Sequence, residues 1–82
     1  MDKKTYISIL DHIVEALLER GYNPYAQLKG YLINNSELYI TSFKKARDMI
    51  KTIDVKDVEN YINNWDEYQD KKWHIEFINM SK

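Results

Sequence analysis

The residues able to do chemistry are few and dispersed. His12 and His74 are the only imidazoles, and neither has a serine, aspartate or cysteine at the spacing that would make it the base of a nucleophilic pair. There is no cysteine, so disulfides and thiolate ligands are excluded, and two histidines far apart in sequence do not supply the spacing of a structural zinc site. The carboxylates fall where helix caps and surface charges are expected, with no pair of the kind a glycosidase needs. Two glycines, Gly21 and Gly30, cannot build a phosphate-cradling loop. These positions predict a protein that is not an enzyme and takes no cofactor. Two places could still meet a phosphate. Lys44, Arg47 and Lys51 fall within about one turn of each other on a predicted helix, and Thr41 and Ser42 open that helix, where its dipole favours negative charge. A solvated basic face and ordinary capping are the plainer readings of the same residues.

The elements that would position them are helices. From Thr5 to Arg20 the apolar Tyr6, Leu10, Ile13, Val14, Leu17 and Leu18 recur at helical spacing. Gly21 terminates this helix, and Asn23 followed by Pro24 caps the next, which runs through Tyr25, Leu28, Tyr31 and Leu32 to a break at Asn34 and Asn35. Gly30 inside that helix costs up to about 1 kcal/mol against alanine, which points to close approach by another element. Leu38 to Thr41 is β-prone but too short to stand alone, and would need to pair with another segment, such as one across a dimer axis. A third helix then buries Phe43, Ala46, Met49, Ile50 and Ile53. Asp54, with Asp57 three residues on, caps a fourth, whose Val58, Tyr61, Ile62 and Trp65 face inward. From Glu67 the pattern fits either a helix or a strand, with Trp73, Ile75 and Phe77 alternating against His74 and Glu76. The expected fold is mainly α: one domain over 1–82 with a four-helix core at about 5–66 and a C-terminal arm at 67–82. It leaves room for a short β pairing between about 38–41 and 73–78.

A chain of 82 residues buries only about 60 to 65% of its unfolded surface, and without disulfides or metal its natural support is a second subunit. Seven tyrosines, two tryptophans and two phenylalanines favour such an interface, so a homodimer is expected. The series Tyr22, Tyr25, Tyr31 and Tyr39 reads equally as interface or as core filler with wet hydroxyls. Twelve basic against thirteen acidic residues give a net charge of −1, too little to steer the chain onto nucleic acid or an anionic membrane. The charged start, Met1 to Lys4, is followed by no secretory core, and no apolar run approaches the roughly 18 residues of a membrane span. The expected location is the cytoplasm, without membrane insertion.

The string Gly21-Tyr22-Asn23-Pro24, then Gln27-Leu28, Gly30-Tyr31-Leu32, Tyr39-Ile40-Thr41 and Ala46-Arg47 with Ile50, resembles the central signature of the IreB family. The similarity runs without gaps over roughly Ile13 to Tyr61. It implies a small dimeric, helical regulatory phosphoprotein of Gram-positive bacteria with no catalytic activity. Such a protein is the substrate of a transmembrane Ser/Thr kinase with extracellular PASTA repeats and influences cell-envelope stress responses and cephalosporin tolerance. In the shared motif, glycine and Asn-Pro set the turn between the first two helices, and Gln27 can hydrogen-bond a neighbouring backbone group.

Three departures stand out. Asn35, Ser36 and Glu37 replace the family's usual Gly-Asp-Pro before Tyr-Ile-Thr. The N-terminal arm whose threonines receive phosphate in the family is reduced here to Thr5, which makes Thr5 the candidate phosphoacceptor, beside Lys3 and Lys4. The tail from Trp65 to Lys82 is longer and more aromatic than in the family. The resulting expectation is a non-enzymatic regulatory or adaptor protein, partnered by itself and by a Ser/Thr kinase. The alternative is a nucleic-acid-binding module using Lys44, Arg47 and Lys51.

Overall fold

The structure, a computed structural model, describes residues 2–65. The C-terminal arm at 67–82, His74 and the strand expected at 73–78 lie outside the described residues.

Asp2 opens the first helix, α1 (Lys3–Glu19), because its carboxylate accepts the Thr5 N–H at 2.8 Å. The helix therefore begins two residues before the expected start, and Thr5 lies within its first turn. Its inner face buries Tyr6, Leu10, Ile13, Val14, Ala16 and Leu17. The other end closes as a Schellman motif: Tyr22 N–H reaches Leu17 O at 2.9 Å, Gly21 N–H reaches Leu18 O at 3.0 Å, and Gly21 takes φ +81°. Asn23 then caps α2 (Pro24–Asn34), its side chain accepting Ala26 N–H at 3.1 Å, with Pro24 at the first helical position. Asn35 ends α2 in the left-handed region (φ 50°), and the N–H groups of Asn35 and Ser36 both donate to Tyr31 O.

The next segment departs from expectation. Leu38 to Thr41 forms no strand. Glu37–Tyr39 is a 3-10 turn, because the Ser36 hydroxyl accepts Leu38 N–H and the N–H groups of Tyr39 and Ile40 fold back to Ser36 O and Glu37 O. These backbone groups are satisfied inside the turn and are not offered to a ladder. No strand occurs among the described residues.

The third helix is also shorter than expected. Phe43–Lys45 is a second 3-10 turn, and α3 covers only Ala46–Ile50. Lys44 and Lys45 both adopt left-handed φ values, 53° and 63°, which breaks the helix that Ser42 would have capped. Phe43 consequently lies on the surface instead of in the buried stripe, while Ala46, Ile50 and Ile53 are buried. Asp54 caps α4 (Val55–Asn63), accepting Lys56 N–H at 3.1 Å, and this helix buries Val58, Tyr61 and Ile62.

The core forms where α1 packs on α3 and α4 while α2 packs on α4 and the first 3-10 turn. Across it the Tyr61 hydroxyl donates to Asp11 Oδ1 at 2.7 Å. At one end Trp65 meets the edges of Tyr25 and Tyr61, with ring centroids at 5.5 and 6.0 Å.

Candidate functional site

Three residues of the signature, Gln27, Gly30 and Arg47, converge on one short segment, Tyr39–Ile40. Gln27, half-buried on α2, donates its Nε2 to Tyr39 O at 2.7 Å. From the other side Arg47, on α3, donates its Nε to Ile40 O at 2.9 Å. Gly30 is where the Tyr39 ring lies down on α2: a Cβ there would sit 2.5 Å from the ring's Cδ1 and 2.7 Å from Cε1. Ile40 and Ala46 are fully buried beneath, and Tyr31, whose carbonyl closes α2, is nearly so. Burial, and then the nearby Glu37 charge, raise the Tyr31 hydroxyl above the ordinary phenol range. Gly21, Tyr22, Asn23 and Pro24 lie apart from this clamp, at the α1–α2 turn, with Tyr22 exposed. What the arrangement does chemically is hold a loop: it carries no nucleophile, base or open polar cleft.

Thr5 is exposed at the first turn of α1. Its hydroxyl and its N–H both bond the Asp2 carboxylate, the hydroxyl bond having the larger effect, and together they hold Asp2 below the usual carboxylate range.

The three basic residues do not form one face. Lys44 pairs with Glu19 at 2.7 Å and lies over the Phe43 ring, Arg47 is spent on Ile40 O, and Lys51 stands 3.9 Å from Glu37. Each cation has a partner within the chain, so the structure shows no preassembled joint phosphate grip.

Two features escape sequence reasoning. His12 reaches the Lys44 carbonyl at 3.1 Å, across 32 positions of sequence, and so braces the left-handed turn. No local pattern signals a contact of that separation. The second is the Asp2–Thr5 cap, for which an acidic residue three positions before Thr5 is the local signal that the expected start at Thr5 passed over. A groove between α2 and α4 holds two adjoining pockets, one lined by Tyr25, Lys29, Ile62, Asn63 and Trp65 and the other by Lys29, Leu32, Ile33, Glu59, Ile62 and Asn63. Among the described residues no group of three His, Asp or Glu side chains could hold a metal ion, and no helix is long and apolar enough to cross a membrane.

Comparison with known proteins agrees with the signature. A family profile described as IreB regulatory phosphoprotein matches residues 1–65. A UPF0297 protein of Clostridioides difficile (strain 630) is 44% identical over 50 residues, an alignment covering 61% of this chain and 59% of that relative.

Proposed function

The chain belongs to the IreB family of regulatory phosphoproteins, and from that premise we propose a cytoplasmic, non-enzymatic regulator that works as a homodimer and is phosphorylated on Thr5. The kinase is a membrane Ser/Thr kinase with PASTA repeats, acting in cell-envelope stress signalling. The observation that carries the reading is the placement of Thr5: an exposed residue in the first turn of α1, bonded to the Asp2 cap. A kinase gains access by unwinding one terminal turn, the part of a helix that frays most readily.

The modification then has a defined local effect. A phosphate brings about 1.5 to 2 negative charges to a helix N-terminus that favours them. It also removes the hydroxyl proton that Asp2 accepts. Two anions then compete for the same few N–H groups, and the phosphate displaces Asp2 as the cap. The start of α1 is thereby rebuilt as a charged patch for a partner to read, with Lys3 and Lys4 alongside.

Site-mapped mass spectrometry after incubation with the kinase and ATP tests this. The expected result is phosphate on Thr5, lost in Thr5→Ala. Absence of phosphate at Thr5, with the kinase active on a control substrate, overturns the reading.

A further inference from the structure

The described residues carry six serine or threonine hydroxyls: Thr5, Ser8, Ser36, Thr41, Ser42 and Thr52. Five are engaged or embedded. Thr5 bonds Asp2, Ser36 accepts Leu38 N–H, Thr41 accepts Phe43 N–H and Thr52 donates to Met49 O at 2.7 Å. Ser8 is inside α1, where the backbone cannot be drawn into a cleft without opening the helix. Ser42 alone among the six combines three features. It is exposed, lies between α-helices, and its side chain makes no capping bond. Lys44 and Lys45 follow two and three residues later, and Arg47 five.

The surroundings of Ser42 are held in an unfavourable conformation by contacts from α1. Lys44 and Lys45 both sit in the left-handed region, which non-glycine residues with a long side chain adopt at a steric cost. The His12 side chain bonds the Lys44 carbonyl, Glu19 pairs with the Lys44 ammonium, and Arg20 lies over the Phe43 ring at 5.4 Å. These restraints come from α1 and its C-cap residue Arg20, and the ion pair is the one a nearby charge can break.

We propose that Ser42 is a second phosphoacceptor, and that its phosphate draws Lys44 away from Glu19 and so loosens the Phe43–Lys45 turn from α1. The proposal rests on the kinase-substrate reading above but concerns a different residue and surface. In the transfer, Ser42 Oγ bonds to the γ-phosphorus of a nucleoside triphosphate held by the kinase. The bond from that phosphorus to the leaving nucleoside diphosphate breaks, and the hydroxyl proton passes to the kinase's base. The product is close to a dianion two residues from Lys44, set against a single exposed carboxylate from Glu19. Lys44 moves to the stronger anion, Glu19 returns to water, and the left-handed turn loses one of its restraints.

The test uses the full chain, the catalytic domain of a PASTA-repeat Ser/Thr kinase and ATP, with mapping of each site in wild type, Thr5→Ala, Thr41→Ala and Ser42→Ala. A phosphate on residue 42 is expected in all but Ser42→Ala. Hydrogen exchange of the amides at 43–46 should then be several-fold faster in the Ser42-phosphorylated protein than in the unmodified one. In Lys44→Gln, phosphorylated and unmodified forms should exchange alike. Phosphate on Thr5 with none on Ser42 overturns this proposal and leaves the Thr5 reading standing, whereas phosphate on neither, with an active kinase, overturns both. Unchanged exchange after Ser42 is phosphorylated overturns the Lys44 step.

Discussion

Tyr61 shows what one buried polar group contributes. On α4 it is fully buried, and its hydroxyl donates to Asp11 of α1. Burial first, then the Asp11 hydrogen bond and charge, push its pKa far above the ordinary phenol range. Because the folded value is raised, the neutral phenol's contribution is complete below the unfolded value near pH 10 and is lost as pH climbs toward the folded value. Above pH 10, Tyr61 alone should cost the fold about 1.4 kcal/mol per pH unit. Tyr61→Phe should lose about 1 to 2 kcal/mol at neutral pH, since Asp11 is partly exposed and can be rehydrated. The variant should also lack that part of the alkaline slope. Urea unfolding of both proteins at pH 7 and pH 11 checks this, and equal differences at the two pH values would refute the assignment to Tyr61. The burial of Tyr61 was legible from helical spacing, but its partner Asp11, 50 positions away, was not, because a helical period tells which face is inside and not what it meets there.

At the scale of elements, local signals read well and long-range ones do not. Asn23-Pro24, Asp54 and the Gly21 terminator announce their caps in the sequence because each acts within four residues of itself. Gly30 announces a close approach, but only the fold supplies the Tyr39 ring as the approaching group. The break at Lys44 and Lys45 had no signal, since lysine is a good helix former and its left-handed state is imposed by α1. The β-prone Leu38 to Thr41 was misread because Ser36 starts a turn that satisfies the same backbone groups. Gly30 offers a clean test of how elements fit. Gly30→Ala gains up to about 1 kcal/mol in helix propensity and loses about 1 to 3 kcal/mol by driving a Cβ into the Tyr39 ring, so the single variant should be destabilised. In a Tyr39→Ala background the clash is gone, and the same Gly30→Ala change should stabilise. A double-mutant cycle by thermal or urea unfolding measures the reversal, and the same sign in both backgrounds would mean that the ring does not set the need for glycine.

The described residues form one small core and leave several large apolar side chains exposed. Ile33 and Leu38, at the end of α2 and in the turn that follows, are 76% and 73% exposed, and Tyr25 and Ile33 line the groove between α2 and α4. Scattered single hydrophobics are ordinary on a protein surface. Here two aliphatic side chains of full size are separated by only five positions, in a domain that buries about 60% of its unfolded surface and has no disulfide. Pairing of two copies through this end of α2 is the economical way to cover them, and it fits the homodimer proposed above. If so, the midpoint of thermal unfolding should rise with protein concentration, because dissociation is coupled to unfolding. Ile33→Glu combined with Leu38→Glu should halve the mass seen by sedimentation and abolish that concentration dependence, while the helical signal of the monomer survives because neither side chain enters the core. A wild-type protein that sediments as a monomer at every concentration would remove the dimer from the account. A dimer untouched by the two charges would instead move the interface to the tyrosines of the α1–α2 turn and the groove, where Tyr22 and Tyr25 are the next most exposed large rings.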